Sequence, residues 1–171
     1  SLMASSGYGL LVDKACMLKK QGLDMETLRV ELEKWRNRLH GYFFTSDLRF
    51  FIQGGRVSKA AGFIGGLLKI CPVLKITEEG TLKPIEKARG KKQAIENILS
   101  KMEKEGYLST EKCFISHSAC PEDAKKLLER IEERFHPEGG IEIFDIGGTI
   151  ACHTGPGTVS SFFFGKGKAY N

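Results

Sequence analysis

Apolar residues recur at helical spacing near the start of the chain, at Leu10, Leu11, Ala15 and Leu18, until Gly22 ends the run. Asp24 then predicts the cap of a second helix, with Leu28, Leu32, Trp35 and Leu39 as its apolar stripe. Residues 42–45 read as a short aromatic strand, followed by Ser46 as the cap of a helical turn over 47–52. Gly54 and Gly55 break the chain there. Ser58 predicts the cap of a helix over 59–69, which Gly62, Gly65 and Gly66 would weaken unless it is buried and closely approached.

Alternation replaces helical spacing over 72–77 and 81–88, joined by Glu78-Glu79-Gly80 as a hairpin loop. A helix over 91–105 follows, with Ile95, Ile98, Leu99 and Met102 on one side. Next come a strand over 112–116 and a helix opened by Pro121, with Glu122 and Asp123 in its first turn. Its buried face is Ala124, Leu127, Leu128, Ile131 and Phe135, and residues 141–146 return as a strand. Strand, helix, strand predicts a right-handed crossover between parallel strands. Residues 149–152 and 158–164 read as two more strands around a Gly-Pro-Gly turn. The fold class expected is α/β, an α+β mixed sheet with flanking helices.

At 171 residues the chain suits one domain, or one domain with a fragment of another. Hydrophobic residues at 41% supply a core, and charged residues at 27% are ordinary, which excludes disorder as the whole answer. The apolar runs at 60–68 and 146–152 are too short and glycine-rich to span a bilayer, so no stable membrane insertion is expected. No basic segment precedes a long apolar stretch at the start, so no signal peptide is visible. The net charge of +5 (26 basic against 21 acidic residues) is spread along the helices and selects no partner. Five cysteines without a CxxC pair read as reduced thiols of a cytoplasmic protein, mostly packed as small apolar groups.

Two glycine-bracketed loops hold the polar residues of interest. In Gly54-Gly55-Arg56-Val57-Ser58, glycine allows close backbone approach and Arg56 presents a planar fork of donors suited to carboxylate or phosphate. The plain alternative is a helix end with a solvated arginine. In His153-Thr154-Gly155-Pro156-Gly157, a type II turn holds His153 and Thr154 at a strand end. The plain alternative there is a buried histidine bonded to a carbonyl. Nucleotide fingerprints are absent, which leaves a kinase or nicotinamide enzyme unsupported. Cys113, His117, Cys120 and Cys152 do not make a zinc site, because Cys113 and His117 are about 13 Å apart along a strand. The basic cluster Lys87, Arg89, Lys91 and Lys92 lacks the interleaved aromatics that stack on bases, so nucleic acid is not the expected partner.

Taken in order, several segments resemble the DegV family of bacterial fatty-acid-binding proteins: Ser6-Gly7-Tyr8-Gly9-Leu10, Gly54-Gly55-Arg56-Val57-Ser58, residues 67–74, Lys87-Ala88-Arg89-Gly90-Lys91-Lys92 and His153-Thr154-Gly155-Pro156-Gly157. The resemblance implies a carrier, not an enzyme. It would hold a long-chain fatty acid and present the carboxyl group to a separate fatty acid kinase subunit, for acyl-phosphate formation in phospholipid synthesis. It also implies that residues 1–22 are the last helix of an N-terminal domain and 23–171 a C-terminal lipid-binding domain. This chain would then lack the N-terminal half of the site and self-associate through the face so exposed. By motif position, the lipid-binding residues are Arg56, His153, Thr154, Gly155, Phe63 and Leu67, with Arg56 and Arg89 facing the kinase. No metal or cofactor is implied beyond the fatty acid ligand. The rival reading is a hydrolase or transferase with His153 as general base and Arg56 as oxyanion stabiliser.

Overall fold

Successive residues of a strand point to opposite faces of its sheet, and the aromatic run at the end of this chain uses both. Phe163 belongs to one apolar core, while Phe162 and Phe164 belong to another. The computed structural model describes residues 1–58 and 70–167. The strands are β1 (Leu39–Thr45), β2 (Ile70–Ile76), β3 (Leu82–Arg89), β4 (Cys113–Ser118), β5 (Ile141–Asp145) and β6 (Thr158–Phe164). They form a six-stranded sheet in the order β3-β2-β1-β6-β4-β5. Only the β4–β5 pair is parallel, so the sheet is mixed as expected. The last strand of the chain, β6, lies between β1 and β4 and is buried along its whole length.

On one face, α4 (Lys91–Lys104) and α5 (Pro121–Phe135) close a core of Phe44, Ile98, Leu99, Ile115, Leu127 and Phe163. On the other face, α1 (Ser6–Lys20) contributes Leu10 and Leu11 to a core with Phe43, Leu74, Phe114 and Phe162. The helix α2 (Met25–Arg38) adds Leu32 and Trp35 beside it. Asp24 caps α2 as predicted, accepting from the Thr27 amide at 2.8 Å. Two ion pairs tie α1 to the segment before β4. Lys14 sits 2.7 Å from Glu111 and over the Trp35 ring, and Asp13 meets Lys112 at 3.0 Å. Among the described residues, no helix is long and apolar enough to cross a membrane.

Two local expectations are corrected. Residues 149–152 are not a strand but part of α6 (Gly148–Thr154), in which the Ile150 and Ala151 amides both bond to the Gly147 carbonyl, at 3.0 and 2.9 Å. Their β-branched composition suits a strand, but their amides bond back to the Gly147 carbonyl as a helical turn that packs on α3 instead of joining the sheet. Nor does Ser46 cap α3 (Arg49–Gln53). Leu48 holds the N-cap position without a side-chain cap, and the Asp47 carboxylate before it accepts from the Arg49 amide at 2.9 Å. Hydrogen bonding from Arg49 holds the Asp47 carboxyl below the usual carboxylate range. The helix expected over 59–69 lies outside the described residues.

Candidate functional site

Ligand sites in sheets of this kind gather where strands end and loops diverge. After β1 the chain enters α3, and after β5 it enters α6. The two short helices pack on each other at one end of the sheet. Their glycines interlock. A Cβ on Gly54 would fall 2.5 Å from Nδ1 of His153, so the imidazole occupies room that only glycine leaves. Reciprocally, a Cβ on Gly155 would overlap the ring of Phe50. Arg56 is exposed and donates from Nη1 to the Gly54 carbonyl, which puts its guanidinium at the same glycine that receives His153. The two sequence-distant loops therefore form one rim. His153 stands in the last turn of α6, not at a strand end as expected.

Beneath this rim is a hollow of about 70 Å³, walled by Phe43, Phe51, Ile76, Leu82, Ile150 and Phe162. Its polar wall residues are Ser5, Thr154, Thr158 and Ser160. A cavity needs about 10–15 Å³ of such volume to hold one water, so this one has room for several. It accommodates a short stretch of alkyl chain, so the described residues supply one section of any longer channel. Thr158 donates to the Thr154 carbonyl at 2.9 Å, whereas Oγ1 of Thr154 itself is sealed from solvent with no hydrogen-bond partner among the described residues.

Of the residues singled out from sequence, Arg56, His153, Thr154 and Gly155 converge. Arg89 is exposed at the end of β3, at the same end of the sheet but two strands from β1. Phe63 and Leu67 lie outside the described residues. Sequence reasoning missed Ser5, Phe43, Phe51, Ile76, Leu82 and Ser160. Part of the signal was present, because Thr158, Ser160 and Phe162 alternate onto one face of β6.

The basic cluster is partly used up inside the fold. Lys91 pairs with Asp123 across α4 and α5, and that hydrogen bond raises its pKa. The cysteines divide: Cys71 and Cys113 are buried, Cys120 is half-buried, and Cys16 and Cys152 are exposed rather than packed as expected. Burial pushes the thiols of Cys71 and Cys113 up to about 12. Among the described residues, no cluster of three or more His, Cys, Asp or Glu side chains could hold a metal ion.

Residues 1–166 match a family model described as an uncharacterised protein of the DegV family. A DegV domain-containing protein of Clostridium perfringens is 39% identical over 166 residues, covering 96% of this chain and 57% of that protein. Among solved structures, a DegV lipid binding protein from Thermotoga maritima gives a TM-score of 0.86 at 27% identity, over 98% of this chain and 58% of that one. The fatty acid kinase B3 protein of Streptococcus pneumoniae, solved with linoleic acid, gives 0.82 at 28% identity, over 91% of this chain and 54% of that one. The chain thus spans little more than half the length of these relatives.

Proposed function

Since the chain belongs to the DegV family, we propose that it forms one side of a fatty-acid site, with the acid's carboxyl end held below the rim of Arg56 and His153. The observation that carries this reading is the rim itself: the His153 imidazole fills the room Gly54 leaves and the Arg56 guanidinium reaches the same glycine, next to a hollow whose exposed lining is apolar. The Thr154 hydroxyl, without a partner among the described residues, costs roughly 1–3 kcal/mol while unsatisfied, and a ligand oxygen brought to it would remove that cost. Arg56 neutralises the carboxylate, His153 hydrogen-bonds it, and Gly155 keeps the two loops close enough to share it.

Magnitudes assign the division of labour. About fifteen buried methylenes contribute on the order of 12 kcal/mol, whereas a charge-assisted hydrogen bond adds only about 1.5–3 kcal/mol. Affinity therefore resides in the tail and orientation in the head. We read the chain as a carrier, with residues 1–22 the last helix of a first domain and 23–171 the lipid-binding domain. Its partner is a separate kinase, toward which the exposed Arg56 and Arg89 face.

The test is titration with oleic acid, followed by Arg56→Ala. Saturable binding is expected, and the variant should retain lipid while losing acyl-phosphate formation in the presence of a fatty acid kinase. No binding of oleic acid overturns the reading. Equal loss of retention and phosphorylation overturns the division between tail and head.

A further inference from the structure

Two glycines from different elements make room for one aromatic ring. A Cβ on Gly7, in α1, would fall 2.4 Å from Cδ1 and 2.6 Å from Cε1 of Phe162. Gly41 is the register partner of Phe162 across β1 and β6. A Cβ there would lie 3.0 Å from Cε1 and 3.1 Å from Cδ1 of the same ring, and 3.1 Å from Cδ1 of Ile76. Neither glycine takes a positive φ, so backbone conformation does not require it at either place. Inside a helix or a strand, glycine weakens the element. What the two positions share is the edge of Phe162 that they receive.

Phe162 and Ile76 both wall the hollow. Along β6, Thr158 and Ser160 lie nearer the rim, and Phe162 stands about 13 Å from Thr158 by strand rise. Leu39 and Phe164, past Phe162, are buried and do not line the hollow, which therefore ends at Phe162 on this side. The ring is only 3% exposed, so the space it can yield into is the hollow. We propose that Gly7 and Gly41 are positioning residues for Phe162, holding its ring against α1 and β1 so that the far end of the hollow stays open and sets the length of acyl chain admitted. The assignment rests on the fatty-acid reading above. A methyl group at Gly41 would push the ring and Ile76 into the space the tail uses, so the penalty falls on the methylenes that reach that far.

Calorimetric titration of the whole chain with oleic acid, and with decanoic acid, which is too short to run from the rim to Phe162, reads the outcome. Gly41→Ala is expected to bind oleic acid roughly tenfold more weakly, the burial of about two methylenes, and decanoic acid by no more than about twofold. Adding Phe162→Leu to Gly41→Ala shortens the displaced side chain and should restore oleic acid binding. Equal weakening for both acids, no weakening for oleic acid, or a double variant that stays weak overturns the assignment alone. Should Gly41→Ala not fold, Phe162→Leu by itself reads the same end of the hollow. A larger gain for oleic than for decanoic acid is then expected, and an unchanged ratio overturns the assignment. Failure of the unaltered chain to bind oleic acid overturns the fatty-acid reading, and the assignment falls with it.

Discussion

The two faces of the sheet are built to different rules. Under α4 and α5, side chains such as Ile98, Leu99 and Leu127 are wholly excluded from water, and the buried polar groups His40, Ser161 and the Tyr42 hydroxyl among them all have partners. Under α1, α3 and α6 the same sheet carries a buried serine chain, a strained serine, interlocked glycines and a hollow. The strained serine and the hollow cost stability when judged as packing alone. Their concentration on one face, around one rim, separates a surface shaped for stability from one shaped for a ligand.

The largest expected effect tests that separation directly. Leu127→Ala, on the filled face, should destabilise by about 2–5 kcal/mol in denaturant unfolding, because the lost contacts leave a cavity. Ile150→Ala should cost clearly less, since Ile150 is half-buried and already borders open space, and it should weaken oleic acid binding instead. Equal unfolding costs for the two variants would erase the distinction between the faces.

An alkaline pH series sharpens the same contrast. The filled face encloses Cys113, whose thiol burial pushes up to about 12 from an ordinary value of 9.0. Between those values the unfolded chain loses the proton while the folded chain keeps it. Stability is therefore complete below pH 9 and falls as pH rises toward 12. The slope from this one group is about 1.4 kcal/mol per pH unit. Cys113→Ala should remove that share of the slope, while thiol alkylation at pH 8 should be fast at the exposed Cys16 and Cys152 and slow at Cys113. A slope unchanged in the variant would show that Cys113 ionises in the fold as readily as in the unfolded chain.

Local periodicity made most of the fold legible. The stripe on 121–135, the hairpin and the cap at Asp24 are short-range patterns that the sheet had only to accept. Residues 149–152 were misread because Thr and Ile favour strands, and only the tertiary contact with α3 shows that they turn as a helix. The rim was partly legible, since glycines beside Arg56 and His153 signal close approach, but nothing local says that Gly54 accepts His153. Ser6 and Ser116 meet across 110 positions of sequence, and Ser160 joins them at Ser116. A hydroxyl at such a position resembles any surface serine until the strands are ordered.

The smallest effect bears on the hollow itself. Thr154→Val keeps the side-chain shape and removes a hydroxyl that has no partner among the described residues, and the bond from Thr158 survives because it reaches the backbone carbonyl. Deleting an unsatisfied buried polar group should stabilise the fold, by about 1 kcal/mol. Oleic acid binding should weaken roughly tenfold in the same protein. Opposite signs for stability and binding are what distinguish a group kept for a ligand from one kept for packing. A loss of stability in Thr154→Val would mean that the hydroxyl already serves the fold, and the argument that it awaits a ligand oxygen would end there.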